Sequence, residues 1–581
     1  MPLLSRLARP TALALAGLLA LTACTASAPG GTAKTSPDAA VKTSNPDAAL
    51  TVVDAANDRA ASVATSRELF DSSPLAIVAP TGDAVTQELA ARTAIGLGVP
   101  LLIGDAAKGK KDKTTGTEAE TDPSSAVPGP TADPTDAPET NDADALEAEL
   151  ERLGTTTALF IGKVQPPAED DESGLTVERV KATDAAVEKA TGLQLEKSTA
   201  QDPAGFAATL VAHEPAEADD SGESKAAPIA QPKRASPLDD TVALAIDGPA
   251  QLASIATARA AGVPVHLLPE ASPNPQAHAS VIDALHASTT TKTLAIGTAL
   301  ATQPALDWKV RTARSGVQLP GGGQLLFPQH QFVALYGTPS TGVLGVLGEQ
   351  NAEASVQRAR EHAAPYAALT DKTVVPMFEI IATVAAAGAG KDGNYSNELP
   401  VEELRPFVDA AAAAGLYVVI DLQPGRTDFL TQAKQYQSLL ELPNVGLALD
   451  PEWRLGPDQV PLRQIGTVSA AEVNSVTTWL ADLTNEKGLP QKMLVLHQFR
   501  TAMISDRLSL DLTRPEVSIL IHADGQGGQG DKQATWANLH RDAPQGIAWG
   551  WKNFYDEDLP MLSPEQTMSS VSPAPDLITY Q

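Results

Sequence analysis

Asp450-Pro451-Glu452 sets two carboxylates two positions apart, a spacing that turns both to the same side of an extended chain. Neighbouring carboxylates raise one another's pKa, so one can keep its proton and serve as a general acid. Cleaving a glycosidic bond needs such an acid and a second carboxylate as nucleophile, base or stabiliser. Glu452 is the candidate acid, Asp450 its partner, and Glu379 or Asp421 the second carboxylate. The alternative is a capped strand end whose acids pair with Arg454 or Arg426. Tyr336, Gln423, His497, His522, Asp524 and Lys552 also stand at or just beyond the ends of apolar runs, as candidate substrate-binding groups. Trp453, Trp549 and Trp551 offer flat faces on which sugar rings stack. His522, Asp524, His497 and Asp421 are of zinc-ligand type, but no two histidines sit at helical spacing, so no metal and no cofactor is assigned. Gly525–Gly530 lacks the Lys-Ser/Thr ending of a phosphate loop and reads as a lid or a plain connection. No Gly-x-Ser-x-Gly elbow points to a serine hydrolase.

These residues need a scaffold that brings strand ends together. From about residue 325 apolar runs recur at 332–336, 374–379, 416–421, 445–450, 493–497, 517–522, 546–551 and 577–580. Helical stretches fall between them at 352–366, 401–414, 428–440 and 470–485. Eight strands in a domain of 325–581 have the rhythm of a (β/α)8 TIM-like barrel, in which chemistry gathers at the C-terminal ends of the strands. An open doubly wound sheet would share the rhythm but carries a glycine fingerprint after its first strand. The expected class is therefore α/β, with N-terminal parallel α/β repeats followed by a C-terminal barrel.

The first half repeats a scheme. A strand at 75–79, a helix at 83–97, a strand at 98–104 and a strand at 158–162 are matched by 242–246, a helix to 261, 262–268 and 294–297. Such alternation implies a parallel sheet covered on both faces. Acidic stretches interrupt it: 114–150 hold ten Asp or Glu and no base, 169–172 are Glu-Asp-Asp-Glu, and 214–223 hold five acids. They read as exposed insertions, at about 106–143, 165–175 and 214–236 within a region of 50–315.

With Asn57-Asp58-Arg59, Ala64-Thr65-Ser66 and the strand ends at Gly162 and Gly297, this region resembles the cell wall-binding repeat 2 family of Gram-positive envelope proteins. Gly162 and Gly297 stand singly where that family has a glycine pair, and the acidic insertions are foreign to it. The resemblance implies non-covalent attachment to a cell-wall polymer. The Asp-x-Glu after the fourth barrel strand resembles chitinase-like and lysozyme-type glycoside hydrolases, without their longer run of acids, since Leu447 and Leu449 stand there. Asp450-Pro-Glu-Trp453, His497-Gln-Phe499 and Trp551-Lys-Asn-Phe-Tyr-Asp-Glu-Asp558 resemble a domain of actinobacterial lipoproteins that carry such repeats. That likeness adds architecture and no activity.

Arg6 and Arg9 precede a short apolar run that ends in Leu21-Thr22-Ala23-Cys24. This resembles the bacterial lipobox, which implies a signal peptide over 1–23, lipid on Cys24, a flexible tether over 24–49 and an extracytoplasmic, membrane-anchored protein. Cys24 is the single cysteine of 581 residues, so an intramolecular disulfide is excluded. A net charge of −29 argues against a nucleic-acid partner. Nineteen of the acids lie in the three stretches, so the acidity says little about a ligand. The function expected is an envelope lipoprotein that binds wall polymer and presents a glycan-binding barrel with hydrolysis as its candidate chemistry. The alternative is a non-catalytic saccharide- or peptide-binding lipoprotein.

Overall fold

A computed structural model describes residues 40–107, 142–165, 174–213 and 229–581. Cys24, the leader, the tether up to residue 39 and most of each acidic stretch lie outside the described residues. Among the described residues no helix is long and apolar enough to cross a membrane.

In chain order, the strands of the first half's two parallel sheets are Leu50–Val53 (β1), Leu75–Pro80 (β2), Leu101–Gly104 (β3), Thr157–Ile161 (β4), Thr176–Val180 (β5), Thr241–Ile246 (β6), Val265–Leu268 (β7) and Lys292–Ile296 (β8). Each sheet has four strands, ordered β3-β2-β4-β5 and β7-β6-β8-β1. The two orders are one order if β1 is taken as the fourth strand of the second sheet. The sequence repeat is thus a repeat of topology, with β1 lent from the other side of the first sheet. Every residue of β2 and β6 is buried, as a sheet covered on both faces requires. The covering helices are Asp58–Leu69 (α1), Ala84–Leu97 (α2), Asp142–Arg152 (α3) and Leu252–Ala260 (α4). Asp83 caps the start of α2 by accepting the Thr86 N–H, and Gly98, at φ 68°, closes its end. The equivalent helices α2 and α4 pack on each other, and Thr257 on α4 accepts the Leu101 N–H of β3 at 3.1 Å.

Acid content alone places residues 142–150 in an exposed stretch, and here the structure differs. In α3, Leu146 and Leu150 fall on one face and are buried. Glu149, fully buried between them, meets Arg67 at 3.0 Å and Arg152 at 2.7 Å. An amphipathic face with a paired acid outweighs the composition of the segment.

The second half closes eight parallel strands into a barrel. They are His330–Gly337 (β9), Thr373–Ala385 (β10), Tyr417–Leu422 (β11), Val445–Leu449 (β12), Lys492–Gln498 (β13), Val517–Ala523 (β14), Ala548–Asn553 (β15) and Leu577–Tyr580 (β16). Closure is made by β9, which pairs with β10 on one side and β16 on the other. β10 runs past the rim and pairs there with the antiparallel segment Ser396–Glu398. The lower interior is filled by Phe332, Met377, Tyr417, Val495, Leu520 and Leu577, with Leu319 and Leu326 of the preceding linker packed beneath them. The first half meets the barrel at this lower end. Buried Trp308 donates to the Leu489 carbonyl at 3.2 Å, and Gln491 N–H donates to Gln324 O at 3.0 Å. Both barrel partners precede β13, so the C-terminal strand ends form the opposite, outer face.

Candidate functional site

Alternation along each strand decides what faces inward. Phe332, Ala334 and Tyr336 share the inner face of β9, Val375, Met377 and Glu379 that of β10, and Tyr417, Val419 and Asp421 that of β11. The same parity puts His497 on β13, His522 on β14, Lys552 on β15 and Thr579 on β16 in one upper layer, all buried. The apolar rows below serve as the floor of a polar layer.

The layer is cross-linked. His497 Nε2 lies 2.8 Å from Glu379 Oε1 and 3.8 Å from Asp421 Oδ1, while its Nδ1 lies 3.2 Å from Asp524 Oδ2. Tyr336 donates its hydroxyl to Asp421 Oδ2 at 2.9 Å, and Thr579 donates to Glu379 Oε2 at 3.2 Å. Lys552 Nζ sits 3.2 Å from Asp524 Oδ1 and 3.6 Å from the centre of the Tyr336 ring. Gly550 leaves room for the His522 ring, since a Cβ there would lie 2.6 Å from His522 Cδ2.

The electrostatics divide the carboxylates. Burial would raise Glu379, but the His497 and His522 rings and Lys552 outweigh it and hold it down to about 2. Asp524 is likewise held well below the usual range, against burial, mainly by Lys552 and His497. Burial pushes the His522 imidazole down to about 3. Asp421 is raised by burial and by Glu379, despite His497. Asp450 is raised well above the ordinary carboxylate range, by burial first and then by Asp421, Asp524 and Glu452. Glu452 is raised by burial and by Asp524.

Asp450 and Glu452 do not stand side by side on an extended chain. Pro451–Trp453 is a 3-10 turn capped by Asp450, whose Oδ1 accepts the Glu452 N–H at 3.1 Å. Asp450 is therefore buried, whereas Glu452 lines an open cavity of about 400 Å³ with Trp453, Arg463, Gln464 and Arg500. The capped-strand alternative required an arginine partner for these acids. Arg454 instead pairs with Glu472 at 2.9 Å, and Arg426 donates to the Gln459 carbonyl.

A carboxyl group whose folded pKa is raised contributes stability that is whole below its usual 3.8 and is lost as pH rises through the folded value. Asp450→Asn keeps the acceptor for the Glu452 N–H and cannot ionise. Its urea midpoint is expected to exceed that of the parent at about pH 8, with the gain shrinking at about pH 3. An equal shift at both pH values would remove the buried-acid assignment.

Not every expected residue reaches the mouth. Trp549 and Trp551 have the opposite parity to Lys552 and face outward. Trp551 is buried against Trp536 of the helix Gln529–His540 (α5), and Trp549 stacks on His540 at 3.6 Å. Gln423 accepts the Ala385 N–H at 2.9 Å and so fixes the extension of β10 rather than facing the layer. Leu447 and Leu449 also point outward, and the inward positions below Asp450 are Ala448 and Gly446. A Cβ on Gly446 would meet the Tyr417 hydroxyl at 3.0 Å, which leaves no space for an acid. Gly525–Gly530 is no free lid, because Gly527 N–H donates to Asp558 and Gly525 O accepts from Lys532. Three contributors escaped the sequence reading. Thr579 could have been found from parity on the last strand; Arg463 and Arg500 lie on loops and leave no periodic signal.

No family model matches the chain, and no curated protein is similar to it. Among solved structures, Cwp6 from Clostridium difficile is similar over 60% of this chain and 64% of that chain, at 14% identity and a TM-score of 0.28. This chain thus spans less than two thirds of that protein's chain, and the likeness is too slight to bear on function.

Proposed function

We propose that the barrel binds a cell-wall glycan at its outer mouth and hydrolyses it, with Glu452 as general acid. The observation that carries this reading is the placing of Glu452: it lines a cavity of about 400 Å³ beside Trp453, in an environment that raises its pKa. A raised carboxyl can hold a proton for a leaving oxygen, and the indole offers a stacking face. Burial and the ionised Asp524 keep that environment unfavourable to a second negative charge. Of the two candidates for the second carboxylate, Glu379 has both oxygens engaged, whereas Asp421 Oδ1 has no hydrogen-bonding partner among the described residues. Asp421, buried in the layer and outside the residues that line the cavity, is the candidate second carboxylate in this reading.

The cellular setting belongs to the same proposal. The chain is an envelope lipoprotein, lipid-anchored through Cys24 at the extracytoplasmic face, with region 50–315 holding wall polymer and 325–581 acting on it. The paired sheet topology and the lipobox-like sequence support this. Incubating the full chain with purified wall polysaccharide should give new reducing ends, and sedimentation with intact walls should give co-pelleting that survives loss of the barrel activity. Co-pelleting without reducing ends would leave a saccharide-binding lipoprotein and end the hydrolase reading.

A further inference from the structure

We propose that Glu379, His497 and His522 bind one divalent transition-metal ion, zinc by ligand type, at the centre of the barrel mouth. One donor atom from each lies within 4.8 Å of the others, and all three side chains are fully buried. Two imidazoles and a carboxylate are the donor set of many zinc sites, and three protein ligands leave a coordination position open to water or substrate.

The second observation is His522 itself. Neither of its ring nitrogens has a hydrogen-bonding partner among the described residues, although the ring is fully buried. Buried polar atoms are nearly always satisfied, and one left over calls for a partner of another kind. A buried ring nitrogen that meets no donor offers its lone pair to a metal ion.

The surroundings already have the form of an outer coordination shell. Asp524 lies 3.2 Å from His497 Nδ1, and a proton held there leaves Nε2 with its lone pair free. Lys552 holds the other oxygen of Asp524 at 3.2 Å. Thr579 engages Glu379 Oε2, which leaves Oε1 facing the histidines. Two ligands of one tetrahedral zinc stand roughly 3.4 Å apart, given bonds of about 2.1 Å. Glu379 Oε1 is 2.8 Å from His497 Nε2 and 3.8 Å from His522 Nδ1, so shifts of about half an ångström bring these two pairs to that spacing. The ion takes the place of a proton between Glu379 and His497, which leaves to solvent. Asp421 Oδ1, 3.8 Å from His497 Nε2, lies beside this ligand set.

The site goes beyond the glycan reading and does not depend on it. The full chain, stripped with chelator and then dialysed against zinc, cobalt, manganese or iron(II), is desalted and its metal measured by mass spectrometry. Acidic stretches collect cations, so the readout is the difference between the parent and its variants. One equivalent of ion should be lost in His522→Ala and in the near-isosteric Glu379→Gln. Asp524→Asn should weaken affinity by about 10–100-fold. Glu452→Gln should keep the ion even if it abolishes turnover, which separates this site from the hydrolase proposal. Cobalt absorption in the visible range should appear in the parent and vanish in Glu379→Gln. If Glu379→Gln retains the parent's full metal content for all four ions, the site does not exist, whether or not His522→Ala folds.

Discussion

Glu452→Gln is expected to lower turnover of wall polysaccharide by about 10²–10⁴-fold while leaving its binding nearly unchanged. Glutamine keeps the shape of the side chain, so the cavity formed with Trp453 and Arg500 persists. It removes the only function a general acid has, a proton that can be given to the leaving oxygen. The raised pKa of Glu452 makes a second, independent readout. Its protonated fraction falls as pH rises through the folded value, so turnover should decline on a basic limb lying above the usual 4.5 of a glutamate. The limb should vanish from the residual activity of the glutamine variant. Reducing-end assays across pH, with binding measured by calorimetry, check both. A variant as active as the parent would move the acid elsewhere, with Asp450 the next candidate.

Asp558→Ala is expected to destabilise the chain by about 3–5 kcal/mol. Asp558 and Lys532 are nearly sealed, at 2% and 3% exposure, with an ion pair of 2.8 Å. Asp558 also accepts from the Gly527 and Phe554 N–H groups. Removing it leaves the Lys532 ammonium buried among the Trp551 and Phe554 rings, with the Gly525 and Lys552 carbonyls as its remaining partners. A charge stranded in this way costs more than the pair contributes, because its desolvation is no longer compensated. Replacing both partners by apolar residues, as in Lys532→Met with Asp558→Leu, should recover a large part of the loss. Urea midpoints of the two single variants and the double one test this; a double variant worse than Asp558→Ala would show that backbone acceptance matters more than charge.

How much of this was legible beforehand depended on periodicity. All eight barrel strands fall where apolar runs recur, because a parallel strand buried on both faces cannot be anything but apolar. The polar layer was legible too, since Tyr336, Glu379, Asp421, His497 and His522 end those runs and Lys552 directly follows one. Direction was the missing ingredient. A strict count by twos from Lys552 would have turned Trp549 and Trp551 outward, and the same count on the last strand would have turned Thr579 inward. The spacing rule failed at Asp450-Pro-Glu because proline begins a 3-10 turn there, which rotates Glu452 out of the strand's alternation. Composition failed at α3, where five acids within eleven residues concealed a face of leucines. Convergence of His522 on Glu379 across the barrel could not be read from one dimension at all.

The strand lent from the other side of the first sheet has a consequence for how the chain comes together in time. β1 leaves the ribosome early, but its partner β8 lies far along the chain, as the register of Thr293 against Leu50 records. At ordinary rates of synthesis β1 waits some tens of seconds without a partner strand. The first sheet can close in that interval; the second cannot, so a ribosome paused before residue 292 should display one protected sheet and one open seam. Vectorial emergence thus makes the last strand of the repeat region the latch for its first.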